Sequence, residues 1–189
     1  MRFKTFVHVT AVTWSCAFLG GFLSGKSVLG ETFNTLPNES ATTCMAKNMY
    51  HEAKSQSLAG QLAVGLVVLN RVKSKNWPND VCKVIYQGPV RESWKTKKDP
   101  SLKSHEREYY PIRHRCQFSW YCDGFRDSIK EPTVYAKIYK YANKLIGNQI
   151  FDFTNGSTHY HATYVSPDWS NLKVVTVIDD HIFYKAKND

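Results

Sequence analysis

The sequence predicts an α+β domain, mainly helical, with short β-hairpins toward the C-terminus. Three observations predict it. Residues 42–73 hold two adjoining stretches with helical spacing of apolar side chains, the second apolar over most of its circumference. A third helical stretch lies between Glu131-Pro132 and Gly147, a start and a stop of the expected kinds. From Ile150 onward the period shortens to two, with Asn155-Gly156 and Asp179-Asp180 as turns. Helices followed by short strands in one compact length of chain give α+β.

The 189 residues suffice for an export segment and one domain of ordinary size. Residues 1–30 carry Arg2 and Lys4 and then a charge-free, moderately apolar run from 5 to 25. Ser-Val-Leu-Gly at 27–30 follows, with residues of the kind a signal peptidase accepts. The run is also long enough to span a bilayer. A cleaved signal and a retained or releasable weak membrane anchor both fit, and either implies export to the periplasm, cell wall or extracellular space. Residues 31–41 read as a linker and 42–189 as the working domain. Formal net charge is +9, and residues 1–30 supply only three of those positive charges. A basic exported domain suits an anionic partner such as a wall polymer or lipid head groups. Nucleic acid is excluded by the export segment, and a monomer is expected. The 11 Tyr, 10 Phe and 5 Trp serve either a core or a carbohydrate platform, so their number decides nothing.

Five cysteines occur, and Cys16 falls in the export segment. The other four permit three pairings, of which Cys44–Cys82 with Cys116–Cys122 is favoured; four reduced thiols are the alternative. The first helix should run from 42 or 43, with Thr42 or Thr43 as N-cap, to 54. The second should span 58–73, at the centre of the core, with Ala59, Gly60, Ala63 and Gly65 admitting the first helix closely. Asp80 should cap a short helix over 81–87. Residues 91–115 carry eight Lys or Arg against four Asp or Glu, interleaved with Trp94, Tyr109 and Tyr110. They read as an irregular insertion, either substrate-contacting or solvated. Val134, Ile138, Tyr141 and Leu145 should form the buried face of the helix after Pro132. One hairpin is expected from 150–154 and 157–165, and a second from 174–178 and 181–184. Asn38-Glu-Ser and Asn155-Gly-Ser match a glycosylation sequon but read as turns.

Glu52 is the candidate catalytic residue. It shares a helix face with Met45 and Met49, at i, i+4, i+7 spacing. A carboxyl on an otherwise apolar face is poorly solvated, so its pKa rises. An acid that keeps its proton near neutral pH can donate it to a glycosidic oxygen. The bland alternative is a solvated Glu at a frayed helix end.

Four ordered motifs carry a family resemblance: MYHEAKSQSLAGQLAVGLVVLNRV, WPNDVCKVIYQ, CQFSWYCDG, and HYHATYVSPDW with the final HIFY. Together they resemble the SleB-type cell-wall hydrolases, over roughly residues 44–184. The resemblance implies a lysozyme-like fold related to lytic transglycosylases. It also implies cleavage of the β-1,4 bond between N-acetylmuramic acid and N-acetylglucosamine in peptidoglycan glycan strands. The family's catalytic Glu aligns with Glu52, and His51 stands where a Gly is usual. A second acid, often found four residues later, aligns with Gln56, and Asp180 replaces a common Gly before the final motif. By resemblance, Gln117, Phe118, Ser119, Tyr160, His161 and Tyr164 line the substrate cleft.

Retaining glycosidases place a second carboxylate about 5–5.5 Å from the first, and inverting ones place it farther away. Asp123 and Asp152 are the candidates, and each also suits a turn or strand edge. A single-acid scheme, with Glu52 alone and a 1,6-anhydro product, fits Gln56 better; hydrolytic muramidase chemistry is its neighbour. No cofactor and no metal are expected. The rival classes are a zinc amidase built on His159, His161 and His181, a thiol hydrolase using Cys116 or Cys122, and a binding module without catalysis.

Overall fold

A computed structural model describes residues 37–187. The export segment expected at 1–30 and most of the linker expected at 31–41 lie outside the described residues. Helix α1 (Ala41–Ala53) starts earlier than its Thr42 or Thr43 signal, because Ser40 is the N-cap and its hydroxyl accepts from the Thr43 amide at 3.1 Å. Glu39 is already part of the domain, since its carboxylate pairs with Lys47 and accepts from the Tyr86 hydroxyl at 3.1 Å.

Helix α2 (Leu58–Lys73) keeps its expected bounds under a Ser57 cap. Helix α3 (Val81–Ile85) is capped by Asp80, which accepts from the Lys83 amide at 2.9 Å, and it stops two residues short of the expected end. Strand β1 (Val90–Glu92), helix α4 (Trp94–Lys97), a 3₁₀ turn (Ser104–Glu106) and strand β2 (Tyr109–Pro111) follow. A second 3₁₀ turn (Ser119–Cys122) precedes helix α5 (Pro132–Ile146), which starts after Glu131 with Pro132 in its first turn and ends at Gly147. Strands β3 (His159–Ala162), β4 (Leu172–Ile178) and β5 (His181–Ala186) form an antiparallel sheet in the order β3-β5-β4.

The main core lies among the helices. Met45, Met49 and Tyr50 of α1 meet Leu66 and Val68 of α2, Val84 and Ile85 of α3, and Ile138, Ala142 and Leu145 of α5. Helix α2 is apolar nearly all round because it has partners on two sides: Ala63 and Val67 pack on Phe183 of the sheet. Gly65 is where α1 and α5 come closest, since a Cβ there would lie 2.5 Å from Leu145 Cδ1 and 3.2 Å from Met49 Sδ. Gly60 and Ala59 do not share that role. Gly60 sits under Asp179 of the β4–β5 turn, and Ala59 is exposed.

Two sequence expectations are corrected. Residues 91–115 are folded, with β1 and β2 paired and Arg91 opposite Tyr110. The Arg107 guanidinium holds the segment together by donating to Glu92 at 2.6 Å and to the Leu102 carbonyl at 3.1 Å. Strands of three residues are too short to show a period in sequence. The hairpin expected from 150–154 and 157–165 is absent. Asp152 instead accepts from the Thr154 and Gly156 amides, each at 2.8 Å, and from Asn70 at 3.0 Å, which coils the stretch against the end of α2. Strand β3 therefore pairs with β5, Tyr160 opposite Phe183. The β4–β5 hairpin turns at Asp179 and Asp180 as expected.

Both favoured disulfides form. Cys44–Cys82 ties α1 to α3, and Cys116–Cys122 closes a short loop. No helix among the described residues is long and apolar enough to cross a membrane.

Candidate active site

Glu52 lies in the last turn of α1, where the helix points its end toward strand β3 across a cleft of about 560 Å³. Met49 and Met45, one and two turns back on the same face, are fully buried. Their burial fixes the helix rotation that turns Glu52 into the cleft. The Tyr160 hydroxyl donates to Glu52 Oε2 at 3.0 Å. Burial pushes the Glu52 carboxyl above the ordinary carboxylate range; the Tyr160 hydrogen bond and the Arg71 charge oppose the rise without cancelling it. Tyr160 itself is pushed well above its usual range, first by burial and then by the Glu52 charge, so it stays a donor.

The cleft wall comes from five places. His51 and Glu52 come from α1 and Arg71 from α2. The disulfide loop supplies Gln117, Phe118, Ser119 and Trp120, with Asp123 directly after it. The sheet supplies Tyr160, His161 and His181, and the segment after β3 supplies Tyr164. All seven residues selected from the sequence thus meet in one cleft. Phe118 is buried at its base, Gln117 and Ser119 are exposed, and Tyr164 is 87% exposed at the rim.

His51 has a visible job in the wall. Its ring stacks on Trp120 at 4.7 Å with an 18° interplanar angle, and Trp120 Nε1 donates to Asn48 at 3.0 Å. Burial first, then Lys47 and Lys54, hold the imidazole below its usual pKa, so the face it adds is neutral.

Arg71 and Trp120 join the cleft without a signal in the sequence. Arg71 is 5% exposed, and its Nε donates to the Thr158 carbonyl at 2.7 Å. Its guanidinium carbon lies 4.2 Å from the Trp77 ring centroid and 5.2 Å from that of Phe118. Desolvation lowers its pKa to about 10, so it remains a cation at neutral pH.

The other carboxylates separate. Asp152 is outside the cleft and committed to its own turn. Asp123 lines the cleft, with Oδ1 accepting from the Phe125 amide at 2.7 Å. Gln56 does not line the cleft; its amide donates to Asp180 Oδ2 at 3.2 Å and its carbonyl accepts from the Asp180 amide.

The histidines do not converge. The strand register puts His159 and His161 on one sheet face, where both rings meet Trp169 and His161 Nε2 lies 2.7 Å from the Tyr184 hydroxyl. His181 is on the other face, against Tyr160 and Phe183. Among the described residues no three His, Cys, Asp or Glu are placed to share a metal. Cys116 and Cys122 are joined to each other, which leaves neither sulfur as a thiolate nucleophile.

Comparison with known proteins places this geometry in a family. No curated protein matches the sequence. The catalytic domain of the germination-specific lytic transglycosylase SleB from Bacillus anthracis superposes with a TM-score of 0.50 at 22% identity, over 79% of this chain and 98% of that one. The catalytic domain of Bacillus cereus SleB gives 0.49 at 23% identity, over 82% and 100%. The shared fold is the α+β, lysozyme-like one. A family model described as Cell Wall Hydrolase matches residues 55–184, which take in Arg71, the disulfide loop, β3, β4 and the first four residues of β5, and begin three residues after Glu52. Because that match spans more than half of the sequence, the chain belongs to the cell wall hydrolase family.

Proposed function

We propose that this protein degrades peptidoglycan as a lytic transglycosylase with Glu52 as its single acid and base. The observation that carries the reading is the Glu52–Tyr160 pair: a carboxyl with a raised pKa, facing a cleft of sugar-binding size, hydrogen-bonded to a neutral donor. Glu52 protonates the bridging oxygen between N-acetylmuramic acid and N-acetylglucosamine as the bond from the muramoyl C1 breaks. The muramoyl C6 hydroxyl then attacks C1 and gives its proton to the Glu52 carboxylate. The acid is restored, no water is consumed, and the product is a 1,6-anhydro sugar. Gln117, Ser119, His161 and Tyr164 hold the N-acetyl groups and hydroxyls, while Tyr160 steers the Glu52 proton. Phe118 gives the cleft an apolar base.

Export accords with a substrate outside the cytoplasm. Residues 1–30 serve as signal or weak anchor, with 42–189 as the catalytic domain and membrane contact, if retained, through residues 5–25. A hydrolytic muramidase is the second reading, and Asp123 favours it as the other carboxylate of the cleft. Mass spectrometry of peptidoglycan digested by wild type and by Glu52→Gln tests the reading. Anhydromuropeptides from wild type and none from the variant are expected. Reducing muropeptides, lost in Asp123→Asn, would mean the muramidase, and free stem peptides would mean neither.

A further inference from the structure

Arg71 is a buried cation that the reaction above does not use. It sits near the end of α2, and three of its features belong together. First, its guanidinium has five N–H donors, of which only the Nε proton has an acceptor among the described residues. Among the same residues Nη1 is buried with no partner and Nη2 makes no hydrogen bond. Second, no carboxylate lies within ion-pairing distance; the ion pairs among the described residues are Lys47–Glu39, Lys54–Glu131 and Arg107–Glu92. Glu52, its neighbour across the cleft, is hydrogen-bonded to Tyr160 instead. Third, Trp77 and Phe118 fix the position of the guanidinium, and the residue lines the cleft together with Glu52.

Such an arrangement costs stability. A buried donor without an acceptor costs about 1–3 kcal/mol, and more when charged. A Met or Leu between the same two rings would carry no such cost, and replacing buried charge by apolar groups is often neutral or favourable. The described residues supply no acceptor that offsets it, which leaves that place to a ligand entering the cleft. A guanidinium fork held in place before binding suits a planar oxygen acceptor, which it meets without further ordering.

Taking the glycosidase reading as its premise, we propose that Arg71 anchors the muramoyl unit at the cleavage point by donating to a carbonyl or carboxylate oxygen of that sugar. Two groups of the unit offer this chemistry: the N-acetyl carbonyl, and the lactyl group, which is an amide carbonyl when a stem peptide is attached and a carboxylate when it is not. Either way Arg71 selects a substituted sugar over a plain glucan.

The test is steady-state kinetics of the full chain on three substrates: intact peptidoglycan, chemically N-deacetylated peptidoglycan, and glycan strands stripped of stem peptides. Wild type is compared with Arg71→Lys and Arg71→Met. The proposal expects Arg71→Met to raise KM about 10- to 100-fold on intact substrate, the range for hydrogen bonds to a charged group, with Arg71→Lys between. If the acceptor is the N-acetyl carbonyl, deacetylation weakens wild type by a similar factor and the Met variant no further. If it is the lactyl group, stripping tightens wild type and leaves the Met variant unchanged. A variant-to-wild-type ratio constant across all three substrates overturns the proposal, as does an unchanged KM with only a shifted pH profile. The wild-type series stands even where a variant fails to fold: KM indifferent to both deacetylation and stripping also overturns it. Failure of the premise looks different, because wild type would then release no muropeptides from any substrate.

Discussion

At the scale of residues, the account turns on the proton held by Glu52. General acid catalysis contributes about 10²- to 10⁴-fold, so Glu52→Gln is expected to lose at least about 10²-fold in the rate of muropeptide release, read by chromatography, while still binding glycan. Tyr160→Phe removes the hydroxyl that opposes the raised Glu52 pKa, so that pKa climbs further. Activity that needs protonated Glu52 falls as pH rises through it, and the alkaline limb of the pH–rate profile should move to higher pH in the Phe variant. Stability follows the same sign. A carboxyl raised above its unfolded value stabilises the fold below the ordinary carboxylate range, and this is lost as pH rises through its folded value. Glu52→Gln cannot ionise, so its melting temperature should exceed wild type at neutral pH, with the gain shrinking toward acid. Glu52 was legible in the sequence because its neighbours at i−7 and i−3 are methionines, which single out a polar residue on a buried stripe. Arg71 was not. A cation closing an apolar helix reads as a solvated end that favours the helix dipole, and only the tertiary approach of Trp77 and Phe118 buries it.

At the scale of elements, the site depends on how α1 ends and α2 begins. Asp179 of the β4–β5 turn accepts from the Ser57 amide at 2.9 Å and so adds a carboxylate to the start of α2. Gln56 is tied to Asp180 next to it. These contacts clip the turn after Glu52 to the sheet that carries Tyr160. Asp179→Ala should cost about 1 kcal/mol, as loss of a helix cap does, and should lower activity more than stability, in denaturant melts and lysis assays run together. The disulfide between Cys44 and Cys82 closes 38 residues, worth about 4 kcal/mol in the chain-entropy estimate. The paired Ala variant should lose about 2–4 kcal/mol in the same melts. Helices α1, α2 and α5 were legible because each carries a long 3.6 period, and short α3 because Asp80 caps it. The insertion and the stretch at 150–154 were not, since three-residue strands show no period and Asp152 gathers its loop through backbone amides that any sequence has.

At the scale of the whole molecule, helices and sheet form two walls with the disulfide loop between them, and the cleft is their common boundary. The order of motifs along the sequence made that architecture readable, because the three long helices all precede the three strands of the larger sheet. The pairing of β3 with β5 was hidden, since register across a separation of some twenty residues leaves no local signal. The proposed mechanism makes one demand that no other reading shares: the bond is cut without water. Digesting peptidoglycan with the full chain in heavy-oxygen water, followed by mass spectrometry of the fragments, tests it most directly. A lytic transglycosylase gives muropeptides lighter by one water than hydrolysis products, with no heavy oxygen at the muramoyl end and none formed by Glu52→Gln. Heavy oxygen on the muramoyl C1 would contradict it and assign the cleft to hydrolysis.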